Sequence, residues 1–268
     1  MEYLSIGAVF RMENSWLGEW IAYHRHVGVE RFYLYSDDAD TRVPDRILKP
    51  YIEKGIVKLR YVKHLPGVDH SPKAWRQKDV YRIILQEVAA KTEWVAMIDL
   101  DEFLLPRTCD DMRELLEAYE PYSALAVHWC NFGTSGFVRR PPTQINHLLR
   151  RGDLLWDRNR YVKSIVRPRR VEIGKADGVH WFPTTGGGTV NENQEPVVNM
   201  ESRPIVSETV RLNHYILRSW QDYWEVKAVR NRSREAGACD DVYFRRNDRN
   251  EIFDDEISTR FGKVIAGE

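Results

Sequence analysis

Apolar residues first crowd together at residues 4–10 (LSIGAVF), which have the composition of a buried strand. From 15 to 27 the period lengthens. Trp16, Leu17, Trp20, Ile21 and Val27 fall on one helical face, with Asn14 or Ser15 as cap and Gly28 as stop. Residues 31–36 (RFYLYS) predict a second strand, 44–54 a helix closed by Gly55, and 56–62 (IVKLRYV) a third strand. A loop at 64–72 leads to a long helix over 73–91, with Val80, Ile83, Ile84 and Val88 inward, and then to a buried fourth strand at 94–98 (WVAMI). The order β-α-β-α-β-α-β with short joints predicts an α/β chain built on a mostly parallel, doubly wound sheet flanked by helices. Such sheets bind ligands beyond the carboxyl ends of their strands. Asp37-Asp38 and Asp99-Leu100-Asp101-Glu102 fall there.

The second half is less regular. Residues 110–119 read as a helix, 123–129, 162–166 and 206–213 as strands, and 219–234 as a helix. Residues 184–196 (TTGGGTVNENQEP), nearly devoid of apolar side chains, predict a mobile surface loop. The last thirty residues predict a helix and a loose charged tail over 236–268. No repeat or linker divides the chain. We read a single domain over 1–268, with a regular half at 1–105 and a less regular half at 106–235.

Composition narrows the function classes. A hydrophobic fraction of 43% over 268 residues builds a core without disulfides or structural metal. Forty basic and forty acidic residues cancel, so no global field draws the chain to nucleic acid or membrane. Cys109, Cys130 and Cys239 are odd in number and form no CxxC spacing, which argues against a zinc site and for a reducing compartment. No apolar run approaches the roughly 18 residues of a membrane span, and residues 1–10 have no signal-peptide pattern. The expected location is therefore cytoplasmic. One local imbalance stands out: between Arg139 and Arg170 ten basic residues face only Asp153 and Asp157. That segment is either a face balanced by acids elsewhere in the fold, or a contact for an acidic glycan, a lipid-linked diphosphate or the inner membrane surface. Nucleic acid is a poor fit and no such partner is expected, because the segment lacks any recognised binding module. Nine Trp and thirteen Tyr suit sugar stacking and a large core equally.

The candidate chemistry centres on Asp99 to Glu102. In an extended segment Asp99 and Asp101 would share a face, with Leu100 opposite. Two such carboxylates offer hard oxygen ligands to a divalent cation and leave positions open for phosphate oxygens. The cation would then neutralise a departing diphosphate. Solvated carboxylates where a buried strand surfaces would look alike, and it is the position after the fourth strand that favours the metal.

Several ordered motifs extend the reading. Arg11-Met12-Glu13, Glu19 through His24, Gly28 through Tyr35, and Trp94 through Leu104 resemble glycosyltransferase family 92 and related family-2-like GT-A enzymes. So do His128-Trp129, Phe132-Gly133-Thr134-Ser135-Gly136, residues 163–168, and Leu212-Asn213-His214-Tyr215 with Ser219 and Lys227. The resemblance covers residues 5 to about 235. It implies a GT-A fold, a nucleotide-sugar donor (UDP-galactose in better-known members), Mn²⁺ or Mg²⁺, inversion at the anomeric carbon, and a glycan or lipid-linked glycan acceptor. By the same transfer Asp99, Asp101 and His214 are the metal ligands, and an imidazole would favour Mn²⁺. Asp37, Asp38, Arg76, Gln77, Asp99, Lys227 and Arg230 are expected to hold the nucleotide sugar. For Asp37 and Asp38 a turn pair is the alternative. Trp129, Phe132, Gly133 and Ser135 are expected to form the sugar or acceptor wall.

An inverting enzyme needs a base for the acceptor hydroxyl. Asp241 is the expected base because it follows the helix after His214, with Asp177, Asp240 and Glu102 as alternatives. Glu102 is better suited to supporting the metal site. Family members in animals and plants carry a membrane anchor and work in the secretory pathway; with no such anchor here, the expectation is a bacterial-type cytoplasmic enzyme of surface polysaccharide or glycolipid synthesis. A nucleotidylyltransferase is disfavoured because Phe10-Arg11-Met12-Glu13-Asn14 has no glycine for a phosphate loop. A non-catalytic glycan-binding or assembly subunit on the same fold is the other alternative.

Overall fold

Four of the apolar runs become the parallel half of one sheet. A computed structural model describes residues 1–71, 76–231 and 239–266. Strands β1 (Glu2–Phe10), β2 (Arg31–Ser36), β3 (Val57–Tyr61) and β4 (Thr92–Met97) pair in parallel in the order β3-β2-β1-β4. Helices α1 (Leu17–His26), α2 (Arg42–Glu53) and α3 (Arg76–Val88) make the connections. Residues 73–75 of the expected third helix lie outside the described residues. Neither Asn14 nor Ser15 caps α1, since residues 14–16 form a 3-10 turn. Gly28 ends the helix segment at φ +99°. Gly7 is needed for the close approach of α3 to β1: a Cβ there would sit 2.6 Å from the Ile84 side chain.

After β4 the chain departs from simple winding. Asp99 to Glu102 is a tight turn, with the Glu102 amide donating to the Asp99 carbonyl at 3.1 Å. It leads into β5 (Glu102–Pro106), α4 (Met112–Glu117) and β6 (Ala124–Asn131). A short β7 (Arg150–Arg151) precedes β8 (Val162–Val166), which inserts antiparallel between β4 and β6. A two-residue β9 (Thr189–Val190) pairs with β6, and β10 (Val210–His214) lies parallel to β6 and antiparallel to β5. Among the described residues the sheet has nine strands, with its main path β3-β2-β1-β4-β8-β6-β10-β5.

Two expectations for the second half are overturned. Residues 184–196 are not a mobile loop, because β9 joins the sheet and the buried Glu192 carboxylate accepts from the amides of Glu208, Thr209 and Val210. The stretch reads as polar because its carboxylate and amide groups replace apolar contacts as the tether. Nor is the C-terminal segment a loose tail. After α5 (Trp220–Asp222), a π-helical turn (Tyr223–Lys227) and α6 (Ala228–Asn231) come α7 (Asp241–Asn247), β11 (Ile252–Phe253) paired with β7, and α8 (Glu256–Ala266). Ile257 and Phe261 of α8 are buried in the main core, with Phe261 in edge contact with Tyr23. Residues 232–234 of the expected helix, and 236–238 and 267–268 of the expected tail, lie outside the described residues.

Candidate active-site cleft

The carboxyl edge of the parallel strands opens into a cleft of about 340 Å³. Asp37, from the end of β2, and Asp99 and Asp101, from the turn after β4, reach it, as do Arg76 and Gln77 from α3. Trp129 of β6, His214 of β10, Lys227 of the π-helical turn and Arg230 of α6 close the other side. The structure therefore brings together most of the residues expected from sequence. It also gives several of them partners that change their roles.

Asp101 is buried, and its Oδ2 lies 3.7 Å from His214 Nε2 and 3.5 Å from Lys227 Nζ. Burial alone would raise the Asp101 carboxyl. The ammonium and the imidazole outweigh it and hold the group well below the ordinary carboxylate range. Burial pushes His214 the other way, toward its neutral form, and its Nδ1 is buried without a hydrogen-bond partner among the described residues. Ligands about 2.0–2.2 Å from one ion stand roughly 3–4 Å apart, so the Asp101–His214 spacing suits a shared cation.

Asp99 does not complete a trio. Its Oδ1 accepts from Gln77 Nε2 at 2.6 Å and from the Tyr81 hydroxyl at 3.0 Å, and its Oδ2 pairs with Lys163 Nζ at 2.8 Å. Among the described residues no three His, Cys, Asp or Glu side chains converge to hold an ion. The expectation that Asp99 and Asp101 share one strand face fails for a local reason, because the segment is a turn. Asp99 is instead turned to α3 and β8. Glu102 sits behind the turn, fully buried. It accepts from the Asp99 amide at 2.8 Å and from Trp129 Nε1 at 2.8 Å. Burial pushes its carboxyl up to about 8. Sequence reasoning gave Lys163 no role, although it is 1% exposed and bridges Asp99 and Glu102.

Asp37 pairs with Arg76 at 3.0 Å at the rim of the cleft. Asp38 is the turn residue of the alternative reading. It accepts from the Met12 amide at 2.7 Å and from Asn14 Nδ2 at 3.0 Å, and so holds Met12 at φ +62°. A non-glycine residue in that region is costly and tends to occur where a site dictates the backbone. Here it directs Arg11 and Glu13 into the cleft. Glu13 is buried between Arg218, at 3.0 Å, and Arg230, at 2.7 Å. Lys227 also donates to the Ile216 carbonyl at 2.6 Å. The π-helical turn at 223–227 determines which helix face carries Lys227 and Arg230, and such turns are frequent at functional sites.

Other expected residues do not reach the cleft. Asp241 lies on α7 with its side chain 69% exposed and pairs with Arg245. Asp240 caps that helix on the Tyr243 amide. Asp177 is 68% exposed and pairs with Lys78 and Arg82. Of the expected wall only Trp129 lines the cleft. Phe132 packs in the core against Tyr215, and the Ser135 amide donates to Asn250 at 2.8 Å. A side chain at Gly133 would collide with the Arg249 carbonyl, so that turn is a docking point for the C-terminal segment. The basic segment 139–170 is largely spent within the fold. Arg140 pairs with Asp222, Arg151 with Asp254, Arg160 with Asp157 and Glu201, and Arg167 with Glu93. Among the described residues no helix is long and apolar enough to cross a membrane.

The structure adds His180, Arg158 and Tyr243 to the lining. None stood in a motif, and their approach depends on loops that pack on β8 and on α7.

A family model described as Glycosyltransferase family 92 matches residues 5–252. A glycosyltransferase family 92 protein of Ricinus communis is 24% identical over 226 residues, covering 83% of this chain and 37% of the relative. One of Oryza sativa subsp. japonica is 23% identical over 223 residues, covering 81% and 34%. The chain thus spans about a third of the length of the curated relatives it matches. Among solved structures, the galactosyltransferase LgtC in complex with donor and acceptor sugar analogs aligns over 98% of this chain and 95% of its own. Its identity is 11% and its TM-score 0.42.

Proposed function

Because the chain belongs to glycosyltransferase family 92 and carries the GT-A arrangement of a parallel nucleotide-side sheet with an acidic turn at its carboxyl edge, we propose that it is a metal-dependent, inverting glycosyltransferase. It moves a hexose from a nucleotide-sugar donor, UDP-galactose foremost, to a hydroxyl of a glycan or lipid-linked glycan in surface polysaccharide or glycolipid synthesis. One observation carries this reading: the cleft gathers Asp101, His214, Lys227 and Arg230 at the end of the β4 turn, facing Asp37 and Gln77 on the nucleotide side.

Each group has a task that follows from its surroundings. Asp101 and the neutral His214 would hold a cation such as Mn²⁺ or Mg²⁺, which would in turn attract diphosphate oxygens. A bound ion supplies Lewis-acid neutralisation of the leaving diphosphate. Lys227 and Arg230 add charge-assisted hydrogen bonds to the same oxygens. Gln77 and Asp37 face the nucleoside. Trp129, fixed by its bond to Glu102, offers a flat apolar face to the donor sugar. A double displacement would need a free carboxylate nucleophile, and Glu13, Asp37, Asp99 and Asp101 are each ion-paired. Among the described residues the lining thus offers no free carboxylate nucleophile, which supports direct displacement over a covalent glycosyl-enzyme.

The test is thermal stability with a panel of nucleoside diphosphates and nucleotide sugars, with and without Mn²⁺, in the wild type and in Asp101→Ala. A ligand at about 100 times its dissociation constant adds roughly 2.7 kcal/mol if it binds only the folded state. The expected result is stabilisation by UDP and UDP-galactose that requires Mn²⁺ and is lost in the variant. No response to any nucleotide refutes the donor site. A metal-independent response refutes the Asp101–His214 cation.

A further inference from the structure

The geometry points to His180 as the general base that takes the proton of the incoming hydroxyl, an inference that rests on the transferase reading above. Direct displacement at an anomeric carbon needs a base within reach of the acceptor oxygen. Among the described residues four carboxylates line the cleft, and a cation engages each: Glu13 lies 2.7 Å from Arg230, Asp37 3.0 Å from Arg76, Asp99 2.8 Å from Lys163, and Asp101 3.5 Å from Lys227. An ion-paired carboxylate is a poor proton acceptor. Of the described lining two imidazoles remain, and His214 turns its Nε2 to Asp101.

His180 is held as a base should be. Its Nδ1 lies 3.0 Å from the Val162 carbonyl, which only accepts, so Nδ1 carries the proton and Nε2 the lone pair. The Ser164 hydroxyl donates to the His180 carbonyl at 2.8 Å, so backbone and ring are both tied to β8. Nε2 has no hydrogen bond among the described residues. The ring stands edge-on to Trp129 at 5.1 Å between centroids, beside the face assigned to the donor sugar, and His214 meets the same indole at 4.4 Å. Burial, with the nearby Lys163 ammonium, keeps the imidazole unprotonated down to about 4.

In the step, a lone pair of the acceptor oxygen forms the new bond to the anomeric carbon as that carbon's bond to the diphosphate oxygen breaks. The bonding pair leaves with the nucleoside diphosphate. The hydroxyl proton passes to His180 Nε2, and the imidazolium then returns it to solvent. With water as acceptor the same step yields the free sugar.

His180→Asn tests this, because its amide nitrogen stands where Nδ1 does and keeps the bond to Val162. The assay follows UDP release from UDP-galactose with Mn²⁺ and water as acceptor, alongside UDP binding by calorimetry. General-base catalysis contributes about 10²–10⁴-fold, so release should fall by that factor while UDP affinity stays at the wild-type value. Azide is already an anion and has no proton to surrender. Adding it should restore release in the variant and form galactosyl azide. Release at the wild-type rate in His180→Asn overturns the assignment, and so does a loss that azide leaves unchanged, which would mark a structural role. If the wild type binds neither UDP nor UDP-galactose, the transferase reading itself fails and this inference with it. That outcome is read from the binding measurement alone.

Discussion

Lys163 offers a sharp test of the electrostatics around the β4 turn. Its ammonium is 1% exposed, 2.8 Å from Asp99 and 3.5 Å from Glu102. Lys163→Met keeps the stem and removes the charge, leaving Asp99 without its counter-ion. Removing one partner of a buried pair costs about 3–5 kcal/mol. Asp99 is 31% exposed to the cleft, so water recovers part of that, and the expected loss is about 3 kcal/mol. For a chain of this size that is a fall in Tm of roughly 6–12 °C. A second substitution identifies the partner. Burial pushes Glu102 up to about 8, so at neutral pH it is mostly protonated and the charge facing Lys163 is that of Asp99. Asp99→Asn should therefore recover most of the loss in the Lys163→Met background, and Glu102→Gln little of it. Reversible urea unfolding of the four proteins supplies the numbers. A Lys163→Met protein within about 1 kcal/mol of wild type would refute the reasoning, as would rescue by Glu102→Gln in place of Asp99→Asn.

Two further predictions concern pH and the donor site. His24 is fully buried. Its Nδ1 lies 2.8 Å from the Trp20 carbonyl and its Nε2 accepts from the Leu104 amide, and burial pushes it down to about 3. The unfolded chain gains this proton below about 6.5 while the folded chain refuses it. Stability is therefore fully present above 6.5 and falls by about 1.4 kcal/mol per pH unit as pH drops from there toward 3. Urea unfolding across that range should show a slope one proton shallower in His24→Gln, and an unchanged slope would count against the buried neutral ring. Lys227→Ala should weaken UDP binding about 10–100-fold, the worth of one charged hydrogen bond, measured by calorimetry. Asp177→Ala and Asp241→Ala should leave it unchanged, and a loss in either would mean that the cleft closes differently when loaded.

The parallel half of the fold was legible because each element there carries its own periodic signal. β2 at 31–36 and the helix that Gly28 stops needed no distant contact to declare themselves. That Asp101, Lys227 and Arg230 gather beyond the sheet edge was legible through their motif order and, for Asp101, its place after a strand. Partners at long separation were not. Asp99 reads as a free carboxylate until Lys163, 64 residues on, is seen to pair with one of its oxygens. Asp38 reads as a nucleotide contact until the Met12 amide is found on it.

Residues near in sequence, then, settled the order of strands and helices as far as β4 and the strand-end location of the acidic turn. Local periodicity and backbone sterics suffice for these. Tertiary structure alone decided that β8 enters between β4 and β6, that residues 184–196 are tethered by Glu192, that α8 joins the core, and that His180 stands beside Trp129 while Asp177 and Asp241 stay outside. The physical reason is that a carboxylate or imidazole takes its charge, its free lone pair and its role from whatever packs against it. In this chain those neighbours come mostly from other strands and loops.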